Sequence, residues 1–120
     1  MQIQIKRAYS PVTIDDGLRI LVDRLWPRGI KKQDAKIDLW PKEITPSTVL
    51  RQSYHQDLIG WEEFRAKYLL ELRQHPETLA ELRRLVQHHN ISLITAAKNA
   101  TQNHALVLKH YLEFPEDENT

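Results

Sequence analysis

The segment Asp23-Arg24-Leu25-Trp26-Pro27-Arg28-Gly29 gathers two guanidiniums, a carboxylate and an indole in one short stretch. It directly follows Leu18-Arg19-Ile20-Leu21-Val22, an apolar run that reads as a strand reaching its end, and Pro27 and Gly29 set a turn. In open α/β sheets, ligands sit outside the carboxyl ends of the strands. Arginines held beside aromatic surface suit a phosphate, a carboxylate or a nucleic-acid backbone. A second group lies at residues 96–104, where Ala96, Ala97, Lys98, Asn99, Asn103 and His104 connect another strand-like run, Ile91-Ser92-Leu93-Ile94-Thr95, to a helix. If the two strands are parallel, both loops share one edge. Arg24, Arg28, Lys98, the loop amides and His104 would then surround an anion at a helix N-terminus.

The roles follow from residue type. His104 is the candidate general acid or base, and Asp23 is its nearest partner. Arg24, Trp26, Arg28, Lys98 and Asn103 are candidate ligand contacts. Each also has a plain structural reading. Arg24 suits a surface ion pair, Trp26 a packing residue, Asn103 a helix cap and His104 a solvent-facing ring. Tyr54-His55-Gln56-Asp57 could reach a cleft but reads more readily as a turn. Adjacent His88 and His89 point about 100° apart on a helix and are not expected to share a zinc. Asp15 and Asp16 have no third acidic neighbour and read as a turn pair. No metal or cofactor is expected, and there is neither a Walker loop nor a G-x-G-x-x-G nor a G-x-S-x-G elbow.

The elements that would position these groups are visible as periodicities. Residues 2–5 alternate as a first strand, residues 18–22 and 91–95 form two more, and residues 37–40 are an edge strand at best because Pro41 follows. Ser47 caps a short helix carrying Val49, Leu50 and Tyr54. Trp61, Phe64, Tyr68, Leu69 and Leu72 mark a helix over residues 60–74, and Pro76 opens another with Leu79, Leu82, Leu85 and Val86 inward. A last helix spans residues 102–113. The pattern predicts one α/β domain over residues 1–114, with a central, mostly parallel sheet of about four strands flanked by helices. Residues 115–120 read as an acidic flexible tail.

With 120 residues, a net charge of +1 and no cysteine, the chain can build one core unaided. Thiol nucleophiles, disulfides and thiolate metal sites are excluded. Near-neutral charge leaves anion binding to local clustering. The alternating N-terminal residues are not a signal peptide's apolar block, and no run is long enough for a membrane span, so a cytoplasmic protein is expected.

The long motif Asp16-Gly17-Leu18-Arg19-Ile20-Leu21-Val22-Asp23-Arg24-Leu25-Trp26-Pro27-Arg28-Gly29 resembles the hallmark of the YeaO-like family of uncharacterised bacterial proteins. Trp40-Pro41-Lys42-Glu43, Pro46-Ser47, Leu50-Arg51, Trp61-Glu62-Glu63-Phe64-Arg65 with Tyr68, and Asn103-His104-Ala105 extend the match over nearly the full length. The resemblance implies a small α/β domain of unknown function and supplies no activity or cofactor. Longer relatives in the wider family carry Cys-His-Arg where this chain has Asn103-His104-Ala105, a loop similar to those of thiol phosphatases and rhodaneses. Thiol and arginine are both missing here, so covalent sulfur or phosphoryl transfer does not carry over.

The leading expectation is therefore an anionic small-molecule ligand, phosphate or carboxylate, at the strand ends, with acid/base chemistry by His104 left open. Two rivals stand beside it. A nucleic-acid module would use Lys6, Arg7, Arg19, Arg24, Arg28, Lys31 and Lys32, with Trp26 or Tyr9 stacking on a base. A protein-interaction domain would use the aromatic face at Trp61 and Tyr68. A membrane partner is not expected, and the sequence does not specify an oligomeric state.

Overall fold

A run such as Ile-Ser-Leu-Ile-Thr makes a stable strand only when both of its faces are covered. The computed structural model describes residues 2–115 and places that run in the middle of the sheet. All five residues of this strand, Ile91–Thr95 (β3), are buried. Ile3–Arg7 (β1) lies along one side and Leu18–Leu21 (β2) along the other, both parallel to β3. The register pairs Ile3 and Leu18 with Ile91, so β1 and β3 end together at Arg7 and Thr95 and β2 ends one residue earlier, at Leu21 opposite Ile94. One further bond, from the Val22 amide to the Ile94 carbonyl at 3.0 Å, carries the pairing past the end of β2.

Three strands form the sheet where about four were expected. Residues 37–40 make a single parallel bridge, Leu39 with Ile20. The Asp38 and Leu39 amides both bond to the Arg19 carbonyl, and Pro41, which has no N–H, ends any continuation.

Two chemically different layers cover the sheet. On one face Ile3, Ile20, Val22, Ile91 and Leu93 meet the apolar stripes of four helices. These are Thr48–His55 (α2), Trp61–Leu72 (α3), Pro76–His88 (α4) and His104–Glu113 (α5); the four-residue helix Lys32–Ala35 (α1) precedes them. Leu50, Phe64, Tyr68, Leu72, Leu79, Leu82 and Leu108 supply the buried contacts. Helix α5 starts at His104 because Asn103 is its cap: its side chain accepts the Leu106 amide at 3.1 Å. The opposite face is covered near the strands' carboxyl ends by Trp26, Ile30, Ile37 and Trp40, packed on Ala8, Leu21 and Ile94.

Farther back on that opposite face, Asp15-Asp16 is more than a turn. Asp16 is only 1% exposed, and its carboxylate meets Lys6 Nζ at 2.5 Å and Arg19 Nη1 at 2.6 Å. Arg19, itself buried, also donates from Nε to the Ala35 carbonyl. Burial alone would raise the Asp16 carboxyl. The bonds from Lys6, Thr13 and Arg19 overcome that and hold it well below the usual carboxylate range.

Among the described residues no helix is long and apolar enough to cross a membrane. The acidic tail expected at residues 115–120 lies, apart from Pro115, outside the described residues.

Candidate functional site

Because β2 and β3 end within one residue of each other, the residues that leave them are neighbours, and Asp23 joins the two loops. Its Oδ1 accepts the Thr95 hydroxyl at 2.6 Å, its Oδ2 accepts the Ala96 amide at 2.8 Å, and His104 Nε2 lies 2.9 Å from Oδ1. The same ring nitrogen is 3.0 Å from the Val22 carbonyl oxygen. Two acceptors on Nε2 require the proton there, which leaves Nδ1 as the atom that could exchange a proton with a ligand. Burial would raise the Asp23 carboxyl. The bond and charge of His104, the Ala96 amide and the Thr95 hydroxyl outweigh it and keep Asp23 ionised below its ordinary range. Asp23→Asn keeps the shape but leaves one donor facing an amide N–H₂. The domain should lose about 2 kcal/mol, read as a lower urea midpoint at constant slope. An unchanged midpoint would mean that Asp23 does not tie the strand ends together.

The segment after Asp23 is pinned from several sides. Trp40 Nε1 donates to the Asp23 carbonyl at 2.7 Å, Trp26 Nε1 to the Ile30 carbonyl at 2.6 Å, and the Tyr9 hydroxyl to the Arg28 carbonyl at 3.0 Å. Arg24 donates from Nε to the Pro46 carbonyl and from Nη2 to the Thr45 carbonyl. Trp26 therefore packs edge-on against Trp40, with ring centroids 5.5 Å apart, and its indole N–H is committed. Arg24 bonds the chain ahead of α2 and makes no direct bond to residues 96–104.

All seven residues singled out from the sequence line one cavity of about 620 Å³: Asp23, Arg24, Trp26, Arg28, Lys98, Asn103 and His104. Four of the loop amides are already bonded within the protein. Ala96 N–H goes to Asp23, Ala97 N–H to Thr95 Oγ1, and the Thr101 and Gln102 amides to Asn99 Oδ1. Asn103 Nδ2 donates to the Asn99 carbonyl at 2.7 Å, so this residue caps α5 and closes the loop.

Arg51, Tyr54 and His55 also line the cavity, beyond the ligand contacts expected from the sequence. They share one face of α2 at i, i+3 and i+4 spacing. The start of α2 is anchored through Ser47, whose amide and hydroxyl both donate to the Glu71 carboxylate on α3 at 2.8 and 2.6 Å. Arg51 is half-buried, and its Nε is shut off from solvent with no hydrogen-bond partner among the described residues. Nothing in the local sequence announces this, because it depends on how α2 docks over the strand ends. Four cations, Arg24, Arg28, Arg51 and Lys98, line the cavity against one carboxylate, Asp23, which is already occupied.

A family model described as the inactive DUF488-N3 subclade matches residues 2–120. The chain belongs to this subclade. It is 52% identical over 112 residues to the uncharacterized protein YeaO of Escherichia coli (strain K12), a match covering 93% of this chain and 97% of that one. It is 38% identical over 111 residues to the uncharacterized proteins Rv3073c of Mycobacterium tuberculosis (strain ATCC 25618 / H37Rv) and Mb3100c of Mycobacterium bovis (strain ATCC BAA-935 / AF2122/97), covering 92% of this chain and 93% of each. No solved structure matches the chain.

Proposed function

We propose that this protein binds an anionic small molecule, bearing a phosphate or a carboxylate, in the cavity at the strand ends, without turning it over. The reading is carried by the charge balance of the lining: Arg24, Arg28, Arg51 and Lys98 face a cavity whose one carboxylate, Asp23, is already bonded to Thr95, Ala96 and His104. Arg51 is half-buried, so an anion that meets its guanidinium is less screened there than at an exposed arginine. Binding without turnover agrees with the subclade's description as inactive and with a described lining that holds no serine, threonine or cysteine nucleophile. In this reading the Asp23–His104 pair braces the site, with Nδ1 the atom through which His104 would act on a ligand. A cytoplasmic location fits a chain without cysteine.

The nucleic-acid alternative draws less support, because Lys6 and Arg19 are engaged by Asp16 and Trp26 is packed against Trp40. Calorimetric titration with inorganic phosphate and pyrophosphate tests the main reading. Arg51→Ala should weaken binding more than tenfold, about 1.4 kcal/mol. Arg28 is exposed and therefore screened, so Arg28→Ala should weaken binding only about threefold to tenfold. Arg28→Lys should recover part of that, since an ammonium lacks the planar fork. Equal affinity in all variants would remove the proposed site.

A further inference from the structure

The cavity is much larger than a bare phosphate needs, and one of its walls is aromatic. Its volume of about 620 Å³ lies in the range of roughly 300–1,000 Å³ that holds drug-sized ligands. Phe64 stacks on Trp61 with centroids 5.8 Å apart and planes 24° apart, and Tyr54 stacks on Phe64 at 4.6 Å and 26°. Tyr54 also lies 6.0 Å from Trp61, so the three rings form one cluster whose Tyr54 and Phe64 members line the cavity, Tyr54 half-buried and Phe64 3% exposed. Pro46 and Leu25 continue the apolar surface. Arg51 lies one helical turn before Tyr54 on the same face of α2. A cavity wall built from an aromatic cluster suits one more ring, packed face-on or edge-on against it.

We propose that the ligand is a planar aromatic ring carrying one anionic group, the ring packing on the Tyr54–Phe64 wall and the anion meeting Arg51. This rests on the anion-binding reading above and adds the chemistry of the ligand's body. The ring could be a simple aryl group or a nucleobase joined through a sugar, and the two differ in how far the ring sits from the anion.

Calorimetry with the full chain separates these cases, using inorganic phosphate, glycerol phosphate, phenyl phosphate and adenosine monophosphate as probes. Phenyl phosphate or adenosine monophosphate should bind at least tenfold more tightly than the two ligands without a ring, and the tighter of them identifies the spacing. Tyr54→Leu should erase that preference while leaving the affinity for inorganic phosphate within about twofold. Tyr54→Phe should retain the preference, and thermal melts of both variants check that α2 is still docked. Equal affinity for all four probes, or a preference unchanged in Tyr54→Leu, would overturn the aromatic body while leaving the anion site standing. Absence of binding by any probe would overturn both.

Discussion

Gly17→Ala is expected to cost about 4 kcal/mol or more, enough to unfold much of a domain of ordinary stability. Gly17 has φ +65° and ψ −140°, a combination open to glycine and costly for any residue with a Cβ. A Cβ built there would sit 2.0 Å from the Asn90 carbonyl oxygen, the same oxygen that accepts the Leu18 amide at 2.9 Å. Relieving the clash means pulling β2 away from the entry to β3, and the near-level ending of the strands depends on that junction. Gly29 is the internal comparison. Its φ of +83° is also positive, but a Cβ there meets nothing within 4 Å, so Gly29→Ala should cost only the backbone strain of about 1 kcal/mol. Urea unfolding of both variants decides the point. Similar losses at the two positions would show that the Gly17–Asn90 approach is not tight.

Asp16→Ala is expected to lose about 3–5 kcal/mol, because it leaves the Arg19 guanidinium charged, 3% exposed and without its carboxylate. Removing both charges with Asp16→Ala and Arg19→Met should recover much of the loss, since an apolar replacement has no desolvation penalty. The acid limb gives an independent sign. The folded Asp16 carboxyl lies below its unfolded value of about 3.9. Its contribution is therefore fully present above that value and fades as pH falls through the folded value. Asp23, shifted in the same direction, adds to the effect. Wild-type stability should fall steeply below about pH 4, and Asp16→Ala should show a shallower acid slope. Matching slopes would mean that Asp16 is not the group being protonated.

Much of this architecture is legible in the sequence wherever one physical rule dominates. The buried run at residues 91–95, the Ser47 cap and the stripe of Phe64, Tyr68 and Leu72 each follow from periodicity or capping chemistry, and each is found in the structure. The nearness of Asp23 to the loop after residue 95 follows from the parallel pairing alone. What was missed depends on tertiary docking. Arg19 stands in an apolar run and was assigned only to the basic face of the nucleic-acid alternative, yet it is buried and paired with Asp16, which Lys6 also meets. Asp15-Asp16 looked like a turn because its cationic partners lie on other strands. Some loop amides looked free because one acceptor, Asp23, comes from another strand's end, and the others, Thr95 Oγ1 and Asn99 Oδ1, depend on side-chain orientations that periodicity does not reveal. Arg51 could be placed on a helix but not over the strand ends, since the Ser47–Glu71 contacts that hold α2 there connect different elements.

The central claim is that the cations around the strand ends hold an anion. The most direct test is an amide chemical-shift titration of isotope-labelled protein with phenyl phosphate. The account predicts saturable shifts confined to residues 23–28, the Arg51–His55 face of α2 and residues 96–104, and their loss in Arg51→Ala. Saturable shifts centred instead on Lys6, Lys31 and Lys32, or no saturable shifts at millimolar ligand, would contradict it.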